Sequence, residues 1–217
     1  MVIFFAFASS ARAETRSPAL TAPLDSATRS YQSEKFDEAL AALDQFDKAN
    51  APSGESLDLR GCIYMEKGNF SAAAKAFEAA RTTDASRFAP RLHEGDLWLR
   101  QKEYAKARAA YGALLKETNI LLSNERLRFA IMMTYLGERD ENLAKKVFDK
   151  ITFPTQSPTY YYAQAAWAFA HDKKSDARKW IKTAARVYPP EDISWFARIL
   201  NDFGWIKEKP APTVDKS

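Results

Sequence analysis

The chain has 217 residues, of which 46% are hydrophobic and 28% charged, enough apolar material for one ordinary core or one continuous solenoid, and this excludes a disordered protein. The net charge of +4 arises from 32 basic and 28 acidic residues interleaved along the sequence, the balance of solvated helix faces rather than of a nucleic-acid footprint. Valine is confined to Val2, Val147, Val187 and Val214 while Ala, Leu, Lys, Arg and Glu abound, so propensity favours helix nearly throughout, and a single cysteine, Cys62, excludes an intramolecular disulfide.

Residues 1–13 carry an apolar run from Val2 to Ala8, small residues, and then Ala11-Arg12-Ala13, an A-x-A pattern before Glu14. They read as an export signal cleaved between Ala13 and Glu14, which places the protein in the periplasm or outside the cell. The alternative is an N-terminal segment that folds onto the rest, with the protein in the cytoplasm. The run is short and no Lys or Arg precedes it, which points to a start codon further upstream. No stretch reaches 18 consecutive apolar residues, so no transmembrane segment is expected. Residues 14–19 lack periodicity and read as a linker.

From Leu20 a degenerate helical hairpin can be laid down, with Pro23 in a first turn, Ala27 at a small crossing position, and Phe36, Ala39, Leu43 and Phe46 on the second helix. Over 54–121 one pattern of 34 residues is then written twice. Gly61 falls on Gly95, Tyr64 on Trp98, Phe70 on Tyr104, Ala73 on Ala107, Phe77 on Tyr111 and Ala80 on Leu114. A fixed period of that length marks stacked helical hairpins. An ordinary antiparallel bundle shares the helical periodicity but has no need of the repeat. Gly61 and Gly95 are expected where the paired helices cross, facing Ala73 and Ala107, with Tyr64, Phe77, Trp98 and Tyr111 in the wedge between hairpins. The spacing resembles the tetratricopeptide repeat, with its early Gly or Ala, an aromatic three residues on, a later Ala, a second aromatic and another Ala. The fold expected is all-α, a right-handed α-solenoid of stacked antiparallel helix pairs with a C-terminal capping helix.

After Leu121 the phase slips by three residues. A fourth unit starts at Glu125 with Met132, Tyr135, Ala144, Phe148 and Ile151 in the same roles, and Met132 in place of a small residue predicts a wider or irregular hairpin. A fifth follows the N-cap Ser157 and Pro158, in which Ala168 and Ile181 replace the aromatics and Trp167, Phe169 and Trp180 stand ready to fill the volume. Pro189-Pro190 stops it. Glu191 and Asp192 load the first turn of one more helix, whose Trp195, Phe196, Ile199, Leu200 and Phe203 share a face and which Gly204 ends. The solenoid thus spans 20–206 as about five pairs plus a capping helix, and 207–217 reads as a disordered tail.

Nothing in the sequence carries a catalytic, cofactor-binding or metal-binding motif. His93 and His171 lie in different repeats without ligand spacing, and there is no G-x-S-x-G or phosphate loop. The protein is expected not to be an enzyme and to need no cofactor. The family resemblance implies that the first helices of successive pairs line a concave groove that holds a segment of a protein partner. A Lys, Arg and Asn clamp known in some members is missing, because the groove positions hold Asp58, Cys62, Leu92 and Asp96. The groove-facing residues of the second and third repeats are Glu55, Asp58, Glu66 and Asp96, offset by Arg100. Those of the fourth and fifth are Phe129, Met133, Leu136, Tyr162 and Phe169. A protein or peptide partner with basic and apolar segments would match them. Two alternatives stay open. The chain's own terminal helix or tail could cover the apolar half, and the protein could be a structural subunit that self-assembles into a homo-oligomer through Trp195, Phe196, Trp205 and Ile206.

Overall fold

A computed structural model describes residues 18–83 and 88–207. The expected leader over 1–13 and the tail over 208–217 lie outside them. Among the described residues there are eleven helices and no strand, and no helix is long and apolar enough to cross a membrane.

The first unit, Met1–Pro52, contains the hairpin of α1 (Pro18–Gln32) and α2 (Phe36–Ala49). Helix α1 begins two residues inside the stretch expected as linker. Ala27, Ala39, Leu43 and Phe46 are buried in this hairpin, at the positions the repeat pattern assigns to them.

The second unit, Ser53–Ser217, holds four antiparallel pairs. These are α3 (Gly54–Glu66) with α4 (Phe70–Thr83), α5 (Phe88–Arg100) with α6 (Tyr104–Glu117), α7 (Leu121–Glu138) with α8 (Glu141–Phe148), and α9 (Thr159–Ala170) with α10 (Lys174–Val187). Helix α11 (Pro190–Asp202) follows them. Consecutive pairs stack as a right-handed α-solenoid of the tetratricopeptide type, so that each pair covers an apolar face of the next.

The repeat is written into the backbone at the hairpin turns. Glu34, Gly68, Lys102, Arg139 and Asp172 all have positive φ, and they lie 34, 34, 37 and 33 residues apart. The step of 37 is the three-residue slip expected after Leu121. At each turn the left-handed residue donates to the carbonyl three residues back, and the following N–H reaches five residues back, as in Glu103 N to Trp98 O at 2.9 Å. This Schellman arrangement satisfies carbonyls that the helix end would otherwise leave bare. Only Gly68 adopts the conformation without a Cβ penalty.

Each glycine at a helix crossing has an aromatic ring laid over it. A Cβ on Gly61 would lie 2.4 Å from Phe77 Cε1, and one on Gly95 would lie 2.6 Å from Tyr111 Cε1. The close partner is therefore the ring rather than Ala73 or Ala107, although both alanines are fully buried. Phe77 also reaches the wedge, with its centroid 6.0 Å from that of His93 on α5. Replacing Gly61 or Gly95 by leucine is expected to destabilise the chain by about 1 to 3 kcal/mol, because the buried ring has nowhere to go. Urea denaturation checks this, and an unchanged midpoint at either position would contradict the packing described.

The fourth pair is the irregular one. Helix α7 starts four residues before the expected Glu125, and α8 has 8 residues where α2, α4, α6 and α10 have 14. Met132 is fully buried at the position that is glycine in the second and third pairs. In the fifth pair Trp167 stacks on Phe148 at 5.0 Å, and Trp180 meets Tyr160 and Tyr161 at 5.9 and 6.3 Å, which fills the space that Ala168 and Ile181 leave.

Candidate partner-binding groove

Helix α11 packs on α9 and α10 and sends side chains to α3, α5 and α7, the first helices of the preceding pairs. Pro190 at its first position and Glu191 and Asp192 in its first turn start it, and Gly204 with φ of 72° closes it, with Trp205 N donating to Leu200 O at 3.0 Å. Its residues at i, i+3 and i+7, namely Trp195, Arg198 and Asp202, lie on one face and pair with the polar half of the groove. Phe196, Ile199 and Leu200 are buried.

Asp96 is the polar centre. It is only 7% exposed, and its carboxylate accepts from Tyr111 Oη at 2.8 Å on one oxygen and from Trp195 Nε1 at 2.8 Å on the other, with Arg126 Nη2 3.6 Å away. The Arg126 guanidinium also lies 4.0 Å from the centre of the Trp195 ring, a half-buried cation–π contact. Burial lowers the basicity of Arg126 against the pull of Asp96. Burial, then the Asp96 charge, holds the Tyr111 hydroxyl well above its ordinary range, so it stays a donor. Further along, Glu66 accepts from Arg198 Nη1 at 2.7 Å and pairs with Arg100 Nη1 at 3.2 Å, while Arg100 Nε is 3.4 Å from Asp202. Burial raises the carboxyl of Asp202.

The apolar half is equally engaged. Phe129 is fully buried, with its ring 5.1 Å from Phe196 and 5.9 Å from Trp195, both edge-on. Tyr162 lies 5.2 Å from Phe196, and Phe169 stacks on Trp205 at 5.7 Å. Met133 is fully buried. Leu136 is half-buried and lines a cleft of about 620 Å³ with Phe169, Phe203 and Trp205, rimmed by Arg100, Lys102, Arg139 and Glu141. Glu55 is exposed in the first turn of α3. Of the nine residues expected to face a partner, Glu66, Asp96, Phe129, Tyr162 and Phe169 therefore meet the terminal segment of the same chain, the covering that the sequence left open as an alternative.

Asp58 has a different partner. His93 Nδ1 lies 2.9 and 3.1 Å from the two oxygens of Asp58 and 3.4 Å from Cys62 Sγ. Burial works against the charged ring, but the Cys62 sulfur and the Asp58 carboxylate outweigh it and raise its basicity well above the ordinary value, while burial pushes the Cys62 thiol up. Both neighbours sit on the same ring nitrogen. A hydrolytic triad uses the two nitrogens for two different partners, so His93 cannot pass a proton between Asp58 and Cys62 in that way. Neither this cluster nor Arg126 stood out in the sequence. The available signal was that Asp58 and Cys62 lie one helical turn apart and that His93, one residue beyond a full period from Asp58, falls on the neighbouring helix.

No family model and no curated protein matches the sequence. Among solved structures, a tetratricopeptide repeat protein from Parabacteroides merdae is similar at 18% identity over 83% of this chain and 70% of its own, with a TM-score of 0.67. PilF of Pseudomonas aeruginosa is similar at 14% identity over 86% of each chain, with a TM-score of 0.62. A double mutant of MamA from RS-1 is similar at 16% identity over 86% of this chain and 97% of its own, with a TM-score of 0.57. These likenesses show the tetratricopeptide-type fold.

Proposed function

We propose that this chain, a tetratricopeptide-type solenoid, is a non-catalytic scaffold that holds an amphipathic helical segment of a protein partner in the groove now occupied by α11. The observation that carries the reading is the chemistry of α11 itself. It sets aromatic anchors, Trp195 and Phe196, against Phe129 and Tyr162, and a basic residue, Arg198, against Glu66. A partner with basic and apolar segments would repeat those contacts, its aromatics supplying most of the affinity and its charges the orientation. The extended connection at Tyr188 and Pro189 ahead of α11 would let the helix leave as a unit.

The test loosens α11 from its own side, so that the groove stays intact. In the full chain, Trp195→Ala with Arg198→Glu is expected to raise affinity for a labelled peptide of residues 190–206 at least tenfold over wild type. Adding Glu66→Lys or raising the salt is expected to reduce it again. Equal binding by wild type and the loosened variant would remove the basis for a groove that exchanges helices.

The same release would let α11 of one copy enter the groove of another, and this is the form in which self-assembly is retained. Light scattering of the wild-type chain should then show a dimer that grows with concentration, and a monomer throughout would dismiss it. The envelope location rests on residues 1–13, and protein from the native host should begin at Glu14. A mature chain that keeps Val2 would dismiss export.

A further inference from the structure

The three side chains Asp58, Cys62 and His93 converge from two helices in a way that a groove for protein segments does not require. We propose that they form a binding site for a single zinc ion, with a carboxylate oxygen of Asp58, the sulfur of Cys62 and Nδ1 of His93 as protein ligands and water in a fourth position.

The geometry is close to what zinc needs. One ligand atom from each residue lies within 4.8 Å of the other two. Tetrahedral zinc with Zn–S of about 2.3 Å and Zn–N and Zn–O of about 2.0 to 2.1 Å sets its ligands roughly 3.4 to 3.6 Å apart. The Nδ1 to Sγ distance of 3.4 Å already meets this, and the Nδ1 to carboxylate distance of 2.9 Å needs to open by a few tenths of an ångström. Asp58 and Cys62 sit at i and i+4 of α3, the spacing that brings two side chains onto one face a turn apart, and His93 reaches across from α5. All three therefore stand on rigid elements rather than loops. Phe77 packs beside the imidazole and Cys62 is buried, while the side chains of Asp58 and His93 keep 14% and 25% exposure as a route of entry.

The charge balance also favours a dication. A thiolate and a carboxylate against Zn²⁺ leave the partly buried site neutral. Binding replaces the S–H bond by an S–Zn bond, the thiol proton goes to solvent, and Nδ1 gives its lone pair to the metal, a proton on it leaving to Nε2 when the ring is neutral and to solvent when the ring is cationic. A sulfur, a nitrogen and a single carboxylate make a donor set suited to zinc rather than to magnesium or calcium, which take oxygen ligands.

Cys62 is the only cysteine of the chain, so a thiolate-to-metal signal has one possible source. The untagged full chain is titrated with Co²⁺ as a spectroscopic stand-in, and then with Zn²⁺ in competition with a chromophoric chelator. The expected result is a thiolate-to-cobalt charge-transfer band that saturates at one equivalent and is discharged by one equivalent of zinc. Cys62→Ser should abolish the band, and His93→Gln and Asp58→Asn should each weaken zinc binding at least tenfold while the helical circular dichroism is kept. Absence of the band in the wild-type protein would overturn the proposal without recourse to any variant. A band of unchanged intensity and affinity in both His93→Gln and Asp58→Asn would overturn the three-ligand site, since Cys62 would then bind metal with other partners.

Discussion

Replacing Asp96 by alanine is expected to cost about 3 to 5 kcal/mol, because it breaks a buried arrangement from one side and leaves the other members without their acceptor. Tyr111 Oη and Trp195 Nε1 each donate to this carboxylate at 2.8 Å, and the half-buried Arg126 has its counter-charge there. Asp96→Asn should cost less, since the amide oxygen can still accept one of the two hydrogen bonds, although Arg126 loses its charge partner. Urea denaturation of both variants measures the difference. A loss below about 1 kcal/mol for Asp96→Ala would mean that water replaces the carboxylate, and the polar centre of the groove would have to be redrawn.

The second large effect is expected at Phe129. Its ring is fully buried and edge-on to both Trp195 and Phe196, so Phe129→Ala should cost about 3 to 5 kcal/mol through lost burial and the cavity left behind. The same variant should release α11, which a rise in tryptophan exposure to an aqueous quencher would report through Trp195. A stability loss near zero would mean that α11 does not rest on Phe129. Phe129 and Tyr162 were both expected to face a partner. Their burial under α11 ties any binding readout to folding, which is why the functional test acts on Trp195 and Arg198 instead.

What the sequence revealed and what it hid follow from the range of the interactions. The 34-residue period, the small crossing positions Gly61 and Gly95 and the slip after Leu121 were legible because each is a local packing need repeated at fixed spacing. The aromatic rings over the glycines were half legible. Phe77 and Tyr111 were marked as buried, but their contact with Gly61 and Gly95 of the same hairpin depends on side-chain direction, which spacing alone does not give. The early start of α7 was hidden because Glu125 fits the repeat in register, while the preceding turn is helical outside the repeat pattern. Helix phase groups Glu66 and Asp96 on one side and Phe129, Tyr162 and Phe169 on the other. Their engagement with the terminal segment joins residues as far apart as 99 and 132 positions, as in Asp96 with Trp195 and Glu66 with Arg198, and no periodic pattern encodes such a pairing. The Asp58, Cys62 and His93 cluster was missed for a related reason, since a ligand set shared by adjacent repeats leaves no short motif.

An α11 that is an exchangeable occupant of the groove rather than a fixed part of the core would show itself in native-state hydrogen exchange. Helices α5 and α7, packed on both sides within the solenoid, should exchange only through large-scale unfolding, whereas α11, held from one side, should exchange through a smaller opening of its own. With Trp195→Ala and Arg198→Glu, α11 should exchange at least tenfold faster, with α5 and α7 unchanged. Exchange of α11 at the same opening free energy as α5 and α7, in wild type and variant alike, would contradict it.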